Sequence, residues 1–304
     1  MEYVLETNNL SKKYKDSLAL DRFTMHVPKG SVYGFVGQNG AGKTTLIRLV
    51  CGLIKPTGGE YTLYGVHSDS KDIAKVRRRM GAIVETPSFY AEMTAKENLR
   101  QQGLLLGLPS FDYVDEILKL VGLGNAGKKK AKNFSLGMKQ RLGIAIALVG
   151  DPDLLILDEP MNGLDPQGIV EIRELILSLN RERQITVIIS SHILDELARV
   201  ATHYGFIDKG RMVKEMSARE VEAAYRKRTY IKVTDTKALA RVLDDMNITY
   251  EISSDKEAYV FDKIGVSQLA ILLEKEKCEI LSMQEKEESL ESFYISLVGG
   301  GDHV

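Results

Sequence analysis

The sequence predicts an α/β protein organised around a phosphate-binding loop, followed by a smaller α+β unit of ferredoxin-like pattern. Three observations predict it. Residues 37–45 read GQNGAGKTT, between a run with strand texture and a run with helix texture. Residues 154–157, Leu-Leu-Ile-Leu, are apolar throughout and lead into Asp158 and Glu159. A strand with no polar face suits a parallel sheet covered on both sides. From residue 229 onward the element order reads βαββαβ, the split pattern of ferredoxin-like folds.

Taken in order, residues 3–7 alternate as a strand does. Strands at 23–27 and 31–36 are joined by the turn Pro28-Lys29-Gly30, and the second runs directly into the glycine loop. A helix follows over 44–53, then the turn Gly58-Gly59 and a strand at 61–64. Residues 87–150 have helical texture, with Val114, Ile117, Leu118 and Val121 on one face and a second long helix over 137–149. A helix at 168–180 and a strand at 185–189 continue the α/β alternation, and strands at 206–208 and 212–214 flank Lys209-Gly210-Arg211 as a hairpin. These elements predict a first domain over 1–220, with its helical part at 87–150, and an accessory domain over 221–304. In the latter, strands are expected at 230–233, 248–252, 258–261 and 279–283, and helices at 236–246 and 266–276. A last helix at 289–297 precedes a loose Gly299-Gly300-Gly301 tail. Nothing in this second part has catalytic spacing, so packing or partner contact is expected of it.

The chain has 304 residues, room for one large domain and a smaller one. A net charge of −1 supplies no overall field toward nucleic acid. The local runs Arg77-Arg78-Arg79 and Lys128-Lys129-Lys130 read as solvated surface. Its two cysteines, Cys51 and Cys278, have no metal-ligand spacing, and a reducing, cytosolic compartment is expected. The opening MEYVLETNNLSKKY is too polar for a signal peptide. No stretch approaches the roughly 18 uninterrupted apolar residues of a membrane span. Work at a membrane would therefore need another protein to hold the chain there.

The glycine loop carries the first chemical signal. Gly37 to Thr44 matches G-x-x-x-x-G-K-[ST]. Phosphates are densely anionic. Glycines allow backbone N–H groups to turn inward, and the helix behind adds the positive end of its dipole. Gly37, Gln38, Asn39, Gly40, Ala41, Gly42 and Thr45 are the expected cradle. Lys43 is expected to reach the β- and γ-phosphates, and Thr44 to offer its hydroxyl to Mg²⁺. Asp158 is expected beside the loop as a Mg²⁺ partner, mostly through water. Glu159 is placed to orient and deprotonate an attacking water. Ser135, opening Ser-Leu-Gly-Met-Lys-Gln-Arg, reads as a helix N-cap, and Gly137 would allow an anion close to that helix.

Together these motifs resemble the ATP-binding subunits of ABC transporters over roughly residues 2–215. The resemblance implies an ABC ATPase domain with a mixed sheet core, an antiparallel β subdomain and a helical subdomain. It gives Tyr14 the place of an aromatic stacked on adenine. It makes FSLGMKQ the family signature, with Leu136 and Met138 standing where a glycine and a glutamine are usual. Asn162-Gly163-Leu164-Asp165 looks like the D-loop, and His192 matches the histidine that senses the γ-phosphate. Glu85 stands where most members carry a glutamine that contacts Mg²⁺. That glutamate, with the appended C-terminal part, looks like the branch that exports bacitracin or confers immunity to lantibiotics.

The resemblance further implies two copies arranged head to tail around two ATP molecules, because one chain holds one copy of each motif. It implies a separate transmembrane permease, docked near residues 87–150, and a cytoplasmic location on the inner face of the membrane. Export rather than import follows by analogy. The rival is an ABC-type ATPase acting on DNA or ribosomes. The absence of long heptads, the single nucleotide domain and the near-neutral charge count against it, and no nucleic acid is expected. No Asn-Lys-x-Asp guanine motif supports a GTPase.

Overall fold

The structure, a computed structural model, describes residues 2–224, 228–262, 264–286 and 290–299. Residues 300 and 301 of the expected glycine tail, and 289 at the start of the last expected helix, lie outside these. The chain divides into two compact units, residues 1–218 and 219–304.

The first unit runs β1 (Tyr3–Tyr14), β2 (Ser17–Pro28), β3 (Val32–Val36), α1 (Lys43–Val50), β4 (Gly58–Leu63), β5 (Val66–His67), α2 (Ile73–Val76) and β6 (Met80–Ile83). The helical stretch holds α3 (Ala95–Leu106), α4 (Tyr113–Leu120) and α5 (Leu136–Leu148). Then come β7 (Leu154–Asp158), α6 (Pro166–Arg183), β8 (Thr186–Ser191), α7 (Leu194–Leu197), β9 (His203–Asp208) and β10 (Arg211–Ser217), with α8 (Ala218–Ala224) at the junction.

Two sheets build this unit. The six-stranded sheet has the order β10-β9-β3-β8-β7-β6. β9, β3, β8, β7 and β6 run parallel, and β10 closes the edge antiparallel. Every residue of β3, β7 and β8 is buried, which is why their middles, such as 154–157 and 187–189, read as apolar throughout. The antiparallel sheet has the order β2-β1-β4-β5. Its Leu5, Leu10, Phe23, Met25, Tyr61 and Leu63 share one core with Leu46, Leu49 and Val50 of α1 and with Phe35, Ile156 and Ile188 of the parallel sheet. The first strand is longer than its alternation suggests. A register shift between Thr7 and Leu10, with Asn9 left-handed at φ 49°, breaks the period of two inside one continuous strand.

Caps fix the helices. Thr94 and Glu97 form a reciprocal capping box at the start of α3, and left-handed Gly107 ends it. Ser135 Oγ accepts from Met138 N at 3.3 Å to start α5. Asp165 Oδ1 accepts from Gly168 N at 2.9 Å to start α6, whose first residue is Pro166. α1 stops at Val50, short of the expected 53, because Cys51 caps it and Gly52 turns left-handed at φ 76°.

The second unit contains β11 (Arg228–Val233), α9 (Thr236–Asp245), β12 (Tyr250–Ser254), β13 (Glu257–Val260), α10 (Val266–Lys275), β14 (Ile280–Lys286) and α11 (Leu290–Gly299). Its sheet has the order β12-β13-β11-β14, all antiparallel. Ile231, Val233, Ala258 and Val260 pack with Leu239, Leu243, Leu269 and Leu273 of α9 and α10. Cys278 is buried in this core, and both cysteines are free.

Candidate active site

The glycine loop joins the carboxyl end of β3 to α1. Two of its glycines are sterically required. A Cβ on Gly37 would lie 2.6 Å from Ile207 Cγ2 and 2.7 Å from its carbonyl. Gly42 is left-handed at φ 112°, and a Cβ there would meet the Ala19 carbonyl at 2.6 Å. Gly42 also caps α1 without a side chain, leaving the first N–H groups of the helix free of any side-chain acceptor. Gln38, Asn39 and Gly40 form the exposed rim, while Ala41 is buried and Thr44 and Thr45 are half-buried. Ala41 N donates to Gln38 O at 3.1 Å, closing the loop on itself.

Lys43 is 5% exposed, so its charge needs partners. Its Nζ donates to the carbonyls of Gly37 at 2.6 Å and Gln38 at 3.2 Å. The same ammonium lies 3.4 Å from Glu159 Oε1. Thr44 Oγ1 donates to Asp158 Oδ2 at 2.9 Å, tying the start of α1 to the end of β7. Ser190 of β8 donates from its hydroxyl to Asp158 Oδ1. Its Oγ and its carbonyl O lie 3.0 Å and 3.1 Å from the Glu159 N–H, which they share as acceptors. Glu159 takes the left-handed conformation at φ 50° just beyond the strand. Its Oε2 lies 2.8 Å from His192 Nδ1. Its Oε1 is buried and accepts no hydrogen bond. The result is a carboxylate held from both sides, between an ammonium and an imidazole, with a lone pair still unclaimed.

These oxygens suit a hard divalent cation: a hydroxyl and a fully buried carboxylate are already in contact at the head of α1. Glu85 has a different partner from those expected of it. Its side chain is 57% exposed, and Oε1 pairs with Arg48 Nη2 of α1 at 2.6 Å. Its charge is offset by this arginine, with Glu85 in the left-handed region at φ 64°.

Tyr14 ends β1 and is 41% exposed, with Lys12 Nζ 5.1 Å from its ring centre. The hairpin that carries it also supplies Ala19, whose carbonyl would lie 2.6 Å from a Cβ on Gly42, so the β1–β2 hairpin packs against the loop. Ser135, Gly137 and Asp165 gather elsewhere, around a cavity of 390 Å³ between the starts of α5 and α6 that no residue of 37–45 lines. Sequence reading missed Ser190 and Arg48. The signal for Ser190 was its polarity at the end of an apolar strand; Arg48 offered none.

The family profile described as ABC transporter matches residues 20–162. The bacitracin transport ATP-binding protein BcrA of Bacillus licheniformis is 42% identical over 304 residues, covering 99% of each chain. This chain belongs to the ABC transporter ATP-binding proteins. The lantibiotic transport ATP-binding protein SrtF of Streptococcus pyogenes is 44% identical over 212 residues, 70% of this ATP-binding subunit and 90% of SrtF. Among solved structures, a dimeric post-hydrolysis state of the ATP-binding cassette MJ0796, bound to ADP and Pi, superposes with a TM-score of 0.64 at 25% identity. It covers 71% of this subunit and 99% of that chain. The similarity to transport subunits along the whole chain does not favour action on nucleic acid or ribosomes. Among the described residues of this ATP-binding subunit, no helix is long and apolar enough to cross a membrane.

Proposed function

We propose that this subunit hydrolyses ATP to ADP and phosphate, driving export of, or immunity to, a peptide antibiotic of the bacitracin or lantibiotic type. The observation that carries the chemistry is Glu159, set between His192 at 2.8 Å and Lys43 at 3.4 Å. Lys43 and the N–H groups of residues 37–45 would take the β- and γ-phosphates, with Tyr14 against the adenine. As phosphate draws the ammonium, Glu159 Oε1 is freed to accept a proton from water, while His192 keeps the carboxylate oriented. Thr44 and Asp158 would hold Mg²⁺, with Glu85 as a further oxygen donor once it leaves Arg48. The ion would supply charge neutralisation at the phosphates.

Ser135, Gly137 and Asp165 stand apart from the phosphate loop. This supports a head-to-tail dimer in which a second copy's signature cavity faces the first copy's nucleotide. A separate permease would dock in the groove of 540 Å³ lined by Val84, Thr86, Phe89 and Leu105, next to Glu85. The subunit would then lie in the cytoplasm on the inner face of the membrane. We take residues 221–304 as a ferredoxin-like accessory domain, a reading supported by the strand order of the second unit. The relatives BcrA and SrtF support the substrate class.

The test is Glu159→Gln. The variant is expected to bind ATP, to hydrolyse it very slowly, and to accumulate as a nucleotide-bound dimer by gel filtration. Turnover near that of the parent would place the base elsewhere.

A further inference from the structure

One nearly buried ion pair beside the site has no part in the chemistry above. Arg173 lies on α6 with its side chain 14% exposed, and its Nη1 donates to Glu196 Oε2 at 3.1 Å. Its Nε also faces Glu174 Oε1 at 3.7 Å. Glu196, whose side chain is 19% exposed, belongs to α7, the helix that follows His192. The N-cap of α6, Asp165, lines the cavity that Ser135 and Gly137 also line. The pair therefore links a helix rooted in that cavity to the segment carrying the histidine that touches Glu159.

α7 needs such a link. It is four residues long, too short to hold itself as a helix, and no side chain caps its start. Ser191 Oγ accepts from Ile193 N at 2.9 Å and secures the chain on entry. Leu194 and Leu197 are buried and fix the depth of the helix. Apolar contacts resist sliding and rolling poorly, because dispersion is non-directional. The Arg173 Nη1–Glu196 Oε2 bond is charge-assisted and directional, so it fixes the approach of α7 to α6 at one point.

We propose that Arg173 is a positioning residue for hydrolysis. Through Glu196 it sets α7, and with it the His192 ring that orients Glu159, in register with α6 and its Asp165 end. The inference rests on the ATPase reading above. Closure of a second copy over the Asp165 cavity would then reach the catalytic carboxylate as a displacement of α6, carried across this pair.

The experiment uses the full chain with Arg173→Met, Glu196→Gln and the charge-reversed pair R173E/E196R, each also in a His192→Ala background. For the single variants, kcat is expected to fall about tenfold while KM for ATP stays within about twofold. The reversed pair is expected to recover kcat to within about threefold of the parent. With alanine at 192, neither single variant lowers the residual rate further. Because Glu196→Gln is nearly isosteric, it carries the test if Arg173→Met does not fold. Unchanged kcat, a further loss on top of His192→Ala, or a folded reversed pair with no recovery would overturn the proposal. A parent chain without ATPase activity would overturn the ATPase reading and this inference with it.

Discussion

The phosphate-loop cluster and the signature cavity are built on opposite plans. Around Lys43 the charges are buried and already matched: the ammonium, Asp158 and Glu159 find partners within one chain, on strand ends fixed by the parallel sheet. Around Ser135 and Asp165 the cavity is open, and the two side-chain oxygens accept from the backbone of their own helices as caps. The first arrangement is closed by partners from its own chain. The second can only orient helix ends toward something that arrives. On the proposed function, chemistry and dimer contact would thus be divided between a sheet edge and two helix starts.

Substitutions test that division, beginning with the largest effect. Glu159→Gln is expected to cost about 100- to 10,000-fold in kcat with ATP binding retained, measured by steady-state ATPase and equilibrium binding. Lys43→Ala removes a buried charge with three oxygen partners, and ATP affinity is expected to fall at least about 30-fold; unchanged affinity in a direct binding assay would contradict the loop assignment. Ser190→Ala strips a donor from Asp158 and an acceptor from the Glu159 amide, and kcat is expected to drop about tenfold with little change in melting temperature. In the cavity the expected signature differs. Ser135→Ala loses a helix cap worth about 1 kcal/mol in denaturant unfolding, and weakens nucleotide-dependent dimerisation rather than ATP binding by the isolated chain. The smallest effect belongs to Glu85→Gln. An exposed ion pair contributes at most about 1 kcal/mol, so ATP affinity should hold within about threefold while coupling to the permease changes. Equal ATPase and transport in variant and parent would leave Glu85 without a special role.

The two regions were also unequally legible in the sequence. The phosphate loop is contiguous, and its glycines, lysine and threonines state their geometry through local backbone requirements. The strand into Asp158 and Glu159 was readable because burial on both faces erases polar alternation. The first strand was not, because the bulge near Asn9 interrupts the period while the ladder continues. The Arg48–Glu85 contact joins residues 37 positions apart, one on α1 and one just past β6, which no local pattern encodes. Arg173 and Glu196 were invisible for the same reason: each reads as one more charge on an amphipathic helix until the fold places them face to face.

The exposed ring of Tyr14 has a practical use. The chain contains no tryptophan. Exchanging Tyr14 for tryptophan would give the molecule a single indole at the tip of the β1–β2 hairpin, so that its emission would reveal in real time, without a dye, whether an added nucleotide reaches that hairpin.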